Sequence, residues 1–293
     1  MFRKIELSKD RMEGVKNDEI NRRIENAGTN IIYHYTSVQS LYKILTGKEF
    51  WLGYTSSMND KSEFAHFAGI LKSELINDVP EKQSAIKKYF KNVNLRIQKE
   101  YPYAMCFSVL NDDAAQWERY ANNATGICIG IDLSVMFAVF YHYPHCVLNR
   151  VFYENDLRKN DHYFVLKNYF LTDNILEFFD KQEQIDNLLF CSVLYKHTSF
   201  SPEQEFRLAI LRNDNTSGAS VDFVENNNQI KKVLKLDMNI LCNNSGYKFE
   251  DLFKSIIIGP RSTQSVADLK SFCNELQYKK LANSIRVSDC PLR

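Results

Sequence analysis

The sequence predicts a single mixed α+β domain, and three observations support that prediction. The chain has 293 residues, which is long for one domain and short for two full ones. Hydrophobic residues make up 44% of the chain, enough to fill a sizeable core. Helix-periodic segments and short apolar runs alternate along it, with no linker, internal repeat or low-complexity tract between them.

The first half of the chain is predicted to alternate helices with short strands. Gly28 is a plausible C-cap for a polar N-terminal helix, and Thr36 and Ser37 can cap the next helix. Pro80 and Pro102 bound a long helical segment. The predicted helices are 8–27, 38–46, 62–77, 81–100, 114–121 and 133–141, and the predicted strands are 31–35, 50–54, 103–109, 125–132 and 147–153.

The second half is predicted to be helical first and then mostly β. We expect helices over 156–195, and then strands at 205–212, 221–225, 233–237, 255–259 and 284–288, with a helix at 266–276 before the last strand. The domain is therefore expected to span residues 1–293, with an N-terminal helix to residue 28 and a core over 29–293. Helical insertions are expected at about 62–100 and 156–195.

Charge and cysteine content limit the classes of function. The formal net charge is +1, so nothing in the overall charge favours nucleic acid or a membrane surface. The lysine-rich stretch at 82–99 is most simply a solvated helix face, although it leaves a local basic surface open. Seven cysteines without a CxxC pair are typical of buried free thiols in a reducing compartment. No signal peptide or membrane-spanning run is found, and we expect a cytoplasmic protein without membrane contact.

Two polar segments lie where a predicted strand gives way to a helix. His34, Tyr35, Thr36 and Ser37 form the first, where backbone N–H groups and polar side chains meet. An ordinary core histidine followed by an N-cap is the simpler interpretation of that segment alone. The second runs from Tyr54 to Asp60 and offers an aromatic ring and hydroxyl groups to a ligand, although it also suits a helix cap.

Two further groups come from later segments. Glu203 and Glu205 are two residues apart at a predicted strand start, so they are expected on one side, with Arg207 as a cationic partner. An exposed, charged strand edge is the alternative. Trp117 and Tyr120 share one face of a short helix, where they could wall a pocket or pack in the core.

Taken in order, these segments resemble a large bacterial family of unknown function. The resemblance covers about residues 31–260 and depends on the motifs IIYHYTS with the following TSSMND, then CFS, WERY, GICIGI and YKHTSFSPEQEFRLAIL. The opening segment is also similar to ADP-ribosyltransferase folds, including RNA 2′-phosphotransferases and DNA-targeting ADP-ribosyltransferase toxins. That similarity implies a core of largely antiparallel sheets of ADP-ribosyltransferase type.

The resemblance also implies a substrate and a site. NAD would be the substrate, and no metal would be required. Glu205 matches the catalytic glutamate of the superfamily and Glu203 the acidic residue upstream of it. Glu205 would stabilise the oxocarbenium-like centre that forms as nicotinamide leaves, and Glu203 would act as general base on the acceptor. The residues expected to hold NAD are His34, Tyr35, Thr36, Ser37, Tyr54, Ser57, Asn59 and Trp117.

Several alternatives stay open at this point. Proteins of the resembled kind act as toxins or in phage defence, which implies a cognate immunity or defence partner, and the acceptor could be protein, nucleic acid or water. A non-catalytic nucleotide-binding or sensor domain on the same fold is a second hypothesis. A third is a cysteine or carboxylate hydrolase on an unrelated fold, with Cys106 as the cysteine to test.

Overall fold

The computed structural model describes residues 9–55, 61–97, 102–153, 157, 161–171, 182–211, 218–226 and 229–292. Up to residue 150 its elements are α1 (Lys9–Ala27), β1 (Ile31–Thr36), α2 (Val38–Gly47), β2 (Glu49–Tyr54), α3 (Lys61–Asp78), α4 (Gln83–Ile97), β3 (Tyr103–Ser108), α5 (Ala114–Tyr120), β4 (Ile127–Asp132), α6 (Leu133–Phe140) and β5 (Cys146–Arg150). The later elements are α7 (Asp161–Leu171), α8 (Gln182–Val193), β6 (Glu205–Ile210), β7 (Ala219–Asn226), β8 (Gln229–Asp237), α9 (Met238–Asn244), β9 (Phe253–Ile258), α10 (Val266–Glu275), α11 (Lys279–Asn283) and β10 (Ile285–Val287).

These elements confirm the predicted α+β class and nearly all the predicted segments. Strand β4 begins at Ile127 rather than at residue 125, because Asn122, Asn123 and Ala124 adopt left-handed backbone angles that close a turn before it. Helices α9 and α11 were not predicted. Within the segment predicted to be helical over 156–195, residues 172–181 lie outside the described residues.

The chain forms two compact units, each built from separate stretches of sequence. The first contains Met1–Thr46, Val109–His142 and Leu241–Arg293, and the second contains Gly47–Ser108 and Tyr143–Ile240. The predicted organisation as a single domain stays a prediction. No helix among the described residues is long and apolar enough to cross a membrane.

Among its described residues, the first unit holds four strands in the order β10-β9-β4-β1. Strands β9, β4 and β1 pair antiparallel, and β10 pairs parallel to β9. All six residues of β4 are buried, which follows from its position between two neighbours and from its apolar sequence ICIGID. The N-terminal helix α1 packs near α6, where the Tyr141 hydroxyl donates to the Glu19 carboxylate.

In the part of the second unit that the structure describes, six strands pair antiparallel in the order β7-β8-β2-β3-β6-β5. The predicted strands 221–225 and 233–237 correspond to β7 and β8, which pair antiparallel over eight residue pairs from Ala219↔Leu236 to Asn226↔Gln229. Strand β6 lies between β3 and β5, and every one of its residues is buried. This central position decides the environment of Glu205, the first residue of the strand.

The two predicted helical segments of the second unit pack together into one apolar cluster. Helix α3 contributes Phe67 and Leu71, α4 contributes Tyr89 and Phe90, and helices α7 and α8 complete it. The lysines of α4 are exposed on its other side, as the solvated-face interpretation predicts.

Candidate functional site

The candidate site is built at the start of β6. Side chains alternate along a strand, so Glu205 and Arg207 project to one face and Phe206 to the other. Ser108 of β3 lies opposite Glu205, and Cys106 lies opposite Arg207. The interpretation of this segment as an exposed, charged strand edge is wrong, since Glu205 and Arg207 are 6% and 5% exposed.

Glu203 approaches Glu205 from a turn rather than along the strand. It is the last residue of a 3-10 helix, Thr198–Glu203, and Gln204 then adopts a left-handed conformation with φ 47° before β6 begins. The His197 Nδ1 caps this 3-10 helix by accepting from the Ser199 N–H. The Ser108 hydroxyl donates to the Glu203 carbonyl at 2.8 Å, which fixes the turn against β3.

Four charged side chains form a compact group, here called the charge cluster: Lys196, Glu203, Glu205 and Arg207. The Lys196 Nζ lies 2.8 Å from the Glu203 Oε2 and 3.0 Å from the Glu205 Oε2. The Arg207 Nε donates to the Glu205 Oε1 at 2.8 Å, and its Nη2 donates to Oε2 at 3.1 Å. The side chains of this cluster are only 5–7% exposed. Two carboxylates and two cations balance, as burial of charge requires.

The cluster fixes the ionisation of its members. Burial alone would raise the pKa of Glu205, but the charges and hydrogen bonds of Arg207, with Lys196, lower it to about 2. Burial would likewise lower the pKa of Lys196, but the carboxylates of Glu205 and Glu203 raise it above its ordinary value. Glu205 is therefore a carboxylate, and Lys196 an ammonium, throughout the physiological range.

Two uncharged neighbours complete the surroundings of Glu205. The Tyr153 hydroxyl accepts from the Glu205 N–H at 2.8 Å, and burial raises the pKa of Tyr153 to about 12. The Cys106 thiol hydrogen-bonds the Glu205 carboxylate, and burial, reinforced by that negative charge, raises the pKa of Cys106 well above its ordinary value. A thiol in such surroundings is a poor nucleophile, which argues against Cys106 as the cysteine of a hydrolase.

In the first unit, the HYTS segment divides between the two faces of β1. His34 and Thr36 lie on the face of the buried Ile32, and Tyr35 lies on the other face. Ser37 follows the strand, where its Oγ accepts from the Ser40 N–H at 3.0 Å, as predicted for the cap of α2. The binding roles expected of these residues stay predictions.

Tyr35 and Trp117, both expected to hold NAD, are buried together in the first unit. Their rings meet edge to face with centroids 5.0 Å apart. The Tyr35 hydroxyl donates to the Leu110 carbonyl, and the Trp117 Nε1 donates to the Asp112 carboxylate. Tyr120, on the same helix as Trp117, is 46% exposed, so the two do not form one buried wall.

Replacing Tyr35 by phenylalanine is expected to lower the free energy of unfolding by about 1–3 kcal/mol. The hydroxyl both donates to the Leu110 carbonyl and accepts from the Asp113 N–H, so its loss leaves two backbone groups without this partner. Urea unfolding followed by circular dichroism would measure the change. Tyr42→Phe is the matched control, because Tyr42 is 57% exposed. If both substitutions changed the free energy of unfolding equally, the stabilising role of the two Tyr35 hydrogen bonds would be contradicted.

Tyr54, one of the residues expected to hold NAD, lies apart from Glu205 within the second unit. It pairs with Tyr103 in β3, whereas Glu205 pairs with Ser108 in the same strand. Five residues of strand span about 17 Å, and an odd separation places the two on opposite faces. The Tyr54 ring instead contacts Tyr103 and the Lys232 ammonium, the latter 4.7 Å from its centroid. Ser57 and Asn59 lie outside the described residues.

The structure thus brings together Glu203, Glu205 and Arg207, and it adds Lys196 and Tyr153, which the sequence analysis missed. Lys196 is seven residues before Glu203, but the residues between them form a 3-10 helix rather than a regular α-helix or strand, so no side-chain period signalled the contact. The described part of the chain holds no group of three or more His, Cys, Asp or Glu side chains suited to a metal ion.

Comparison with protein families finds similarity over part of the chain. A family described as "Protein of unknown function (DUF2971)" matches residues 116–208. The matched segment begins within α5 and ends within β6, and it includes the whole charge cluster. Comparisons with curated proteins and with solved structures found no match.

Proposed function

We propose that this protein cleaves the nicotinamide–ribose bond of NAD, as an ADP-ribosyltransferase or NAD glycohydrolase, with Glu205 as the catalytic carboxylate. The observation that supports it most is the ionised Glu205 at the first position of a late, central strand. As the bond breaks, its electron pair leaves with nicotinamide and positive charge develops on the ribose. A fixed carboxylate in a water-poor site stabilises that charge strongly.

Glu203 is proposed as the general base for the acceptor, because its carboxylate shares the Lys196 ammonium with Glu205. The acceptor would be a protein, a nucleic acid or water, and a role in toxicity or phage defence belongs to the same proposal. The all-antiparallel strand order of the second unit is consistent with the ADP-ribosyltransferase type of fold, which is proposed with it.

A substrate hydroxyl would need a place on Glu205. A carboxylate has about four lone-pair positions. Two donors of Arg207, the Lys196 ammonium and the Cys106 thiol already use them. The thiol is the weakest of these donors, so the ribose 2′-hydroxyl is proposed to replace it.

Because protein donors already fill the acceptor positions of Glu205, a second candidate is also favoured: a non-catalytic nucleotide-binding or sensor domain. A carboxylate whose acceptor positions are filled by protein groups is typical of a structural ion-pair network. In that case the charge cluster holds the turn before β6 in place, and NAD or another nucleotide binds without being cleaved.

Nicotinamide release from NAD by the purified protein tests the two candidates. We expect release by the wild type and a loss of about 100-fold or more in Glu205→Gln, which keeps the shape of the side chain but not its charge. Glu203→Gln provides a second variant, and Glu81→Gln at an exposed position provides the control. Circular dichroism would verify that each variant is folded.

The outcomes separate the candidates. NAD binding by calorimetry without nicotinamide release would reject NAD cleavage and support the non-catalytic domain. Release that persists in Glu205→Gln would reject Glu205 as the catalytic carboxylate. If the protein neither binds NAD nor releases nicotinamide, both candidates are rejected as NAD-dependent proteins.

A further inference from the structure

Lys196 occupies a position that its backbone fixes firmly. It follows α8 and precedes the 3-10 helix, and its N–H donates to the Phe152 carbonyl at 2.9 Å. The Phe152 N–H in turn donates to the Leu194 carbonyl at 2.6 Å. These bonds attach the segment around Lys196 to the segment that follows β5, so the Lys196 side chain starts from a rigid base.

The Lys196 ammonium is surrounded by groups that define where it lies. It contacts one oxygen of each carboxylate in the charge cluster, at 2.8 Å for Glu203 and 3.0 Å for Glu205. The Phe200 ring lies 5.1 Å away, measured to its centroid. With only 5% of its side chain exposed, Lys196 has lost most of its contact with water.

The Lys196 ammonium bridges the two carboxylates directly. Arg207 binds Glu205 through two nitrogens, and its Nη1 donates to the Val193 carbonyl at the end of α8. Two buried carboxylates that meet without a shared cation cannot both remain charged, and one of them keeps its proton. A protonated Glu205 could not stabilise an oxocarbenium centre, and a protonated Glu203 could not accept a proton.

We propose that Lys196 is the positioning residue of this site, whose ammonium holds Glu203 and Glu205 beside each other with both carboxylates ionised. The effect of Lys196 on catalysis rests on the proposed NAD cleavage, whereas its effect on the ionisation of Glu203 and Glu205 does not. Lys196 acts through the carboxylates and need not touch the substrate.

The titratable groups that face Lys196 come from every element around it. They are Glu203 from the 3-10 helix, Glu205 and Arg207 from β6, Cys106 from β3 and Tyr153 from the segment after β5. Cys106 and Tyr153 stay protonated at neutral pH because burial raises the pKa of each. Replacing Lys196 therefore changes the ionisation of the carboxylate pair first.

The test compares Lys196→Met, which removes the charge, with Lys196→Arg, which keeps it. Carbon-13 NMR of the glutamate carboxyl groups from pH 3 to 9 would follow ionisation, and nicotinamide release would be measured over the same range. In Lys196→Met we expect one carboxyl of the pair to titrate at least two pH units higher than in the wild type. Release at pH 6 should fall 100-fold or more and recover partly towards pH 9. Lys196→Arg should stay within about tenfold of the wild type, with an unchanged pH profile.

Several outcomes would overturn the proposal. Carboxyl titrations that are unchanged in Lys196→Met would overturn it. A loss of nicotinamide release that is equal at every pH would also overturn it, because a merely structural role produces such a loss. If the wild type releases no nicotinamide, NAD cleavage fails, but the NMR titration still decides the role of Lys196. If Lys196→Met does not fold, Lys196→Gln, which keeps a donor without the charge, serves for the same titration.

Discussion

Replacing Arg207 by methionine is expected to lower the free energy of unfolding by about 3–5 kcal/mol. Arg207 is the bidentate partner of Glu205, and removing it leaves a buried carboxylate with Lys196 as its one remaining cationic contact in the cluster. The substitution also removes the donor to the Val193 carbonyl, one of the last carbonyls of α8. Urea unfolding at pH 7 would measure the loss.

Two further variants show whether the loss comes from the buried charge. Lys235→Met is the matched control, because it breaks an ion pair with Asp222 whose carboxylate side chain is 50% exposed, and it should cost less than about 1 kcal/mol. Adding Glu205→Gln to Arg207→Met should restore part of the stability, since the double variant has no unpaired carboxylate at residue 205. Equal losses from Arg207→Met and Lys235→Met would contradict the interpretation.

The Arg207–Glu205 ion pair makes the free energy of unfolding of the wild type depend on pH. The folded protein lowers the pKa of Glu205 from its ordinary 4.5 to about 2. The stability from this group is therefore fully present above pH 4.5 and is lost as the pH falls from about 4.5 towards 2. In Arg207→Met, with its main stabilising charge gone, the pKa of Glu205 in the folded protein rises towards or above 4.5, so this loss of stability on acidification should shrink or reverse.

Local sequence signals were sufficient for most of the elements. Helix α2 follows from Ser37, which caps it as predicted, and from the helical spacing of Leu41, Ile44 and Leu45, which are buried. Helix α9 was missed because it directly follows a strand and is only seven residues long, although Asp237 caps it by accepting from the Ile240 N–H. The division into two units was not expected, because each combines segments that are distant in sequence.

Sequence patterns predicted the candidate site only for residues that are close to each other in the chain. Glu205 and Arg207 share a strand face, so alternation predicted their contact correctly. Glu203 does not extend that strand, because Gln204 takes a left-handed conformation, and strand spacing alone gave no sign of it. Lys196 meets the carboxylates through the fold of the chain between α8 and β6, a tertiary contact without a sequence pattern.

The glycines of the GICIGI motif have a physical role that the structure makes explicit. Gly126 follows the turn of left-handed residues, its N–H donates to the Ala121 carbonyl, and its carbonyl accepts from the Gly259 N–H. A methyl group on Gly126 would lie 2.2 Å from the Thr36 carbonyl oxygen and 2.8 Å from that of Ala121. Both atoms belong to the backbone, so neither can turn aside as a flexible side chain would.

Replacing Gly126 by alanine is therefore expected to destabilise the protein by about 1–3 kcal/mol or more, because the end of β1 or of α5 must shift. Gly69→Ala is the matched control with the opposite expected sign. A methyl group at Gly69 in α3 meets nothing within 4 Å, and alanine in a helix is favoured over glycine by about 0.5–1 kcal/mol. Thermal and urea unfolding would show whether each substitution raises or lowers the free energy of unfolding. If Gly126→Ala left the stability unchanged, the backbone at Thr36 and Ala121 would be free to move aside, which would contradict the expected clash.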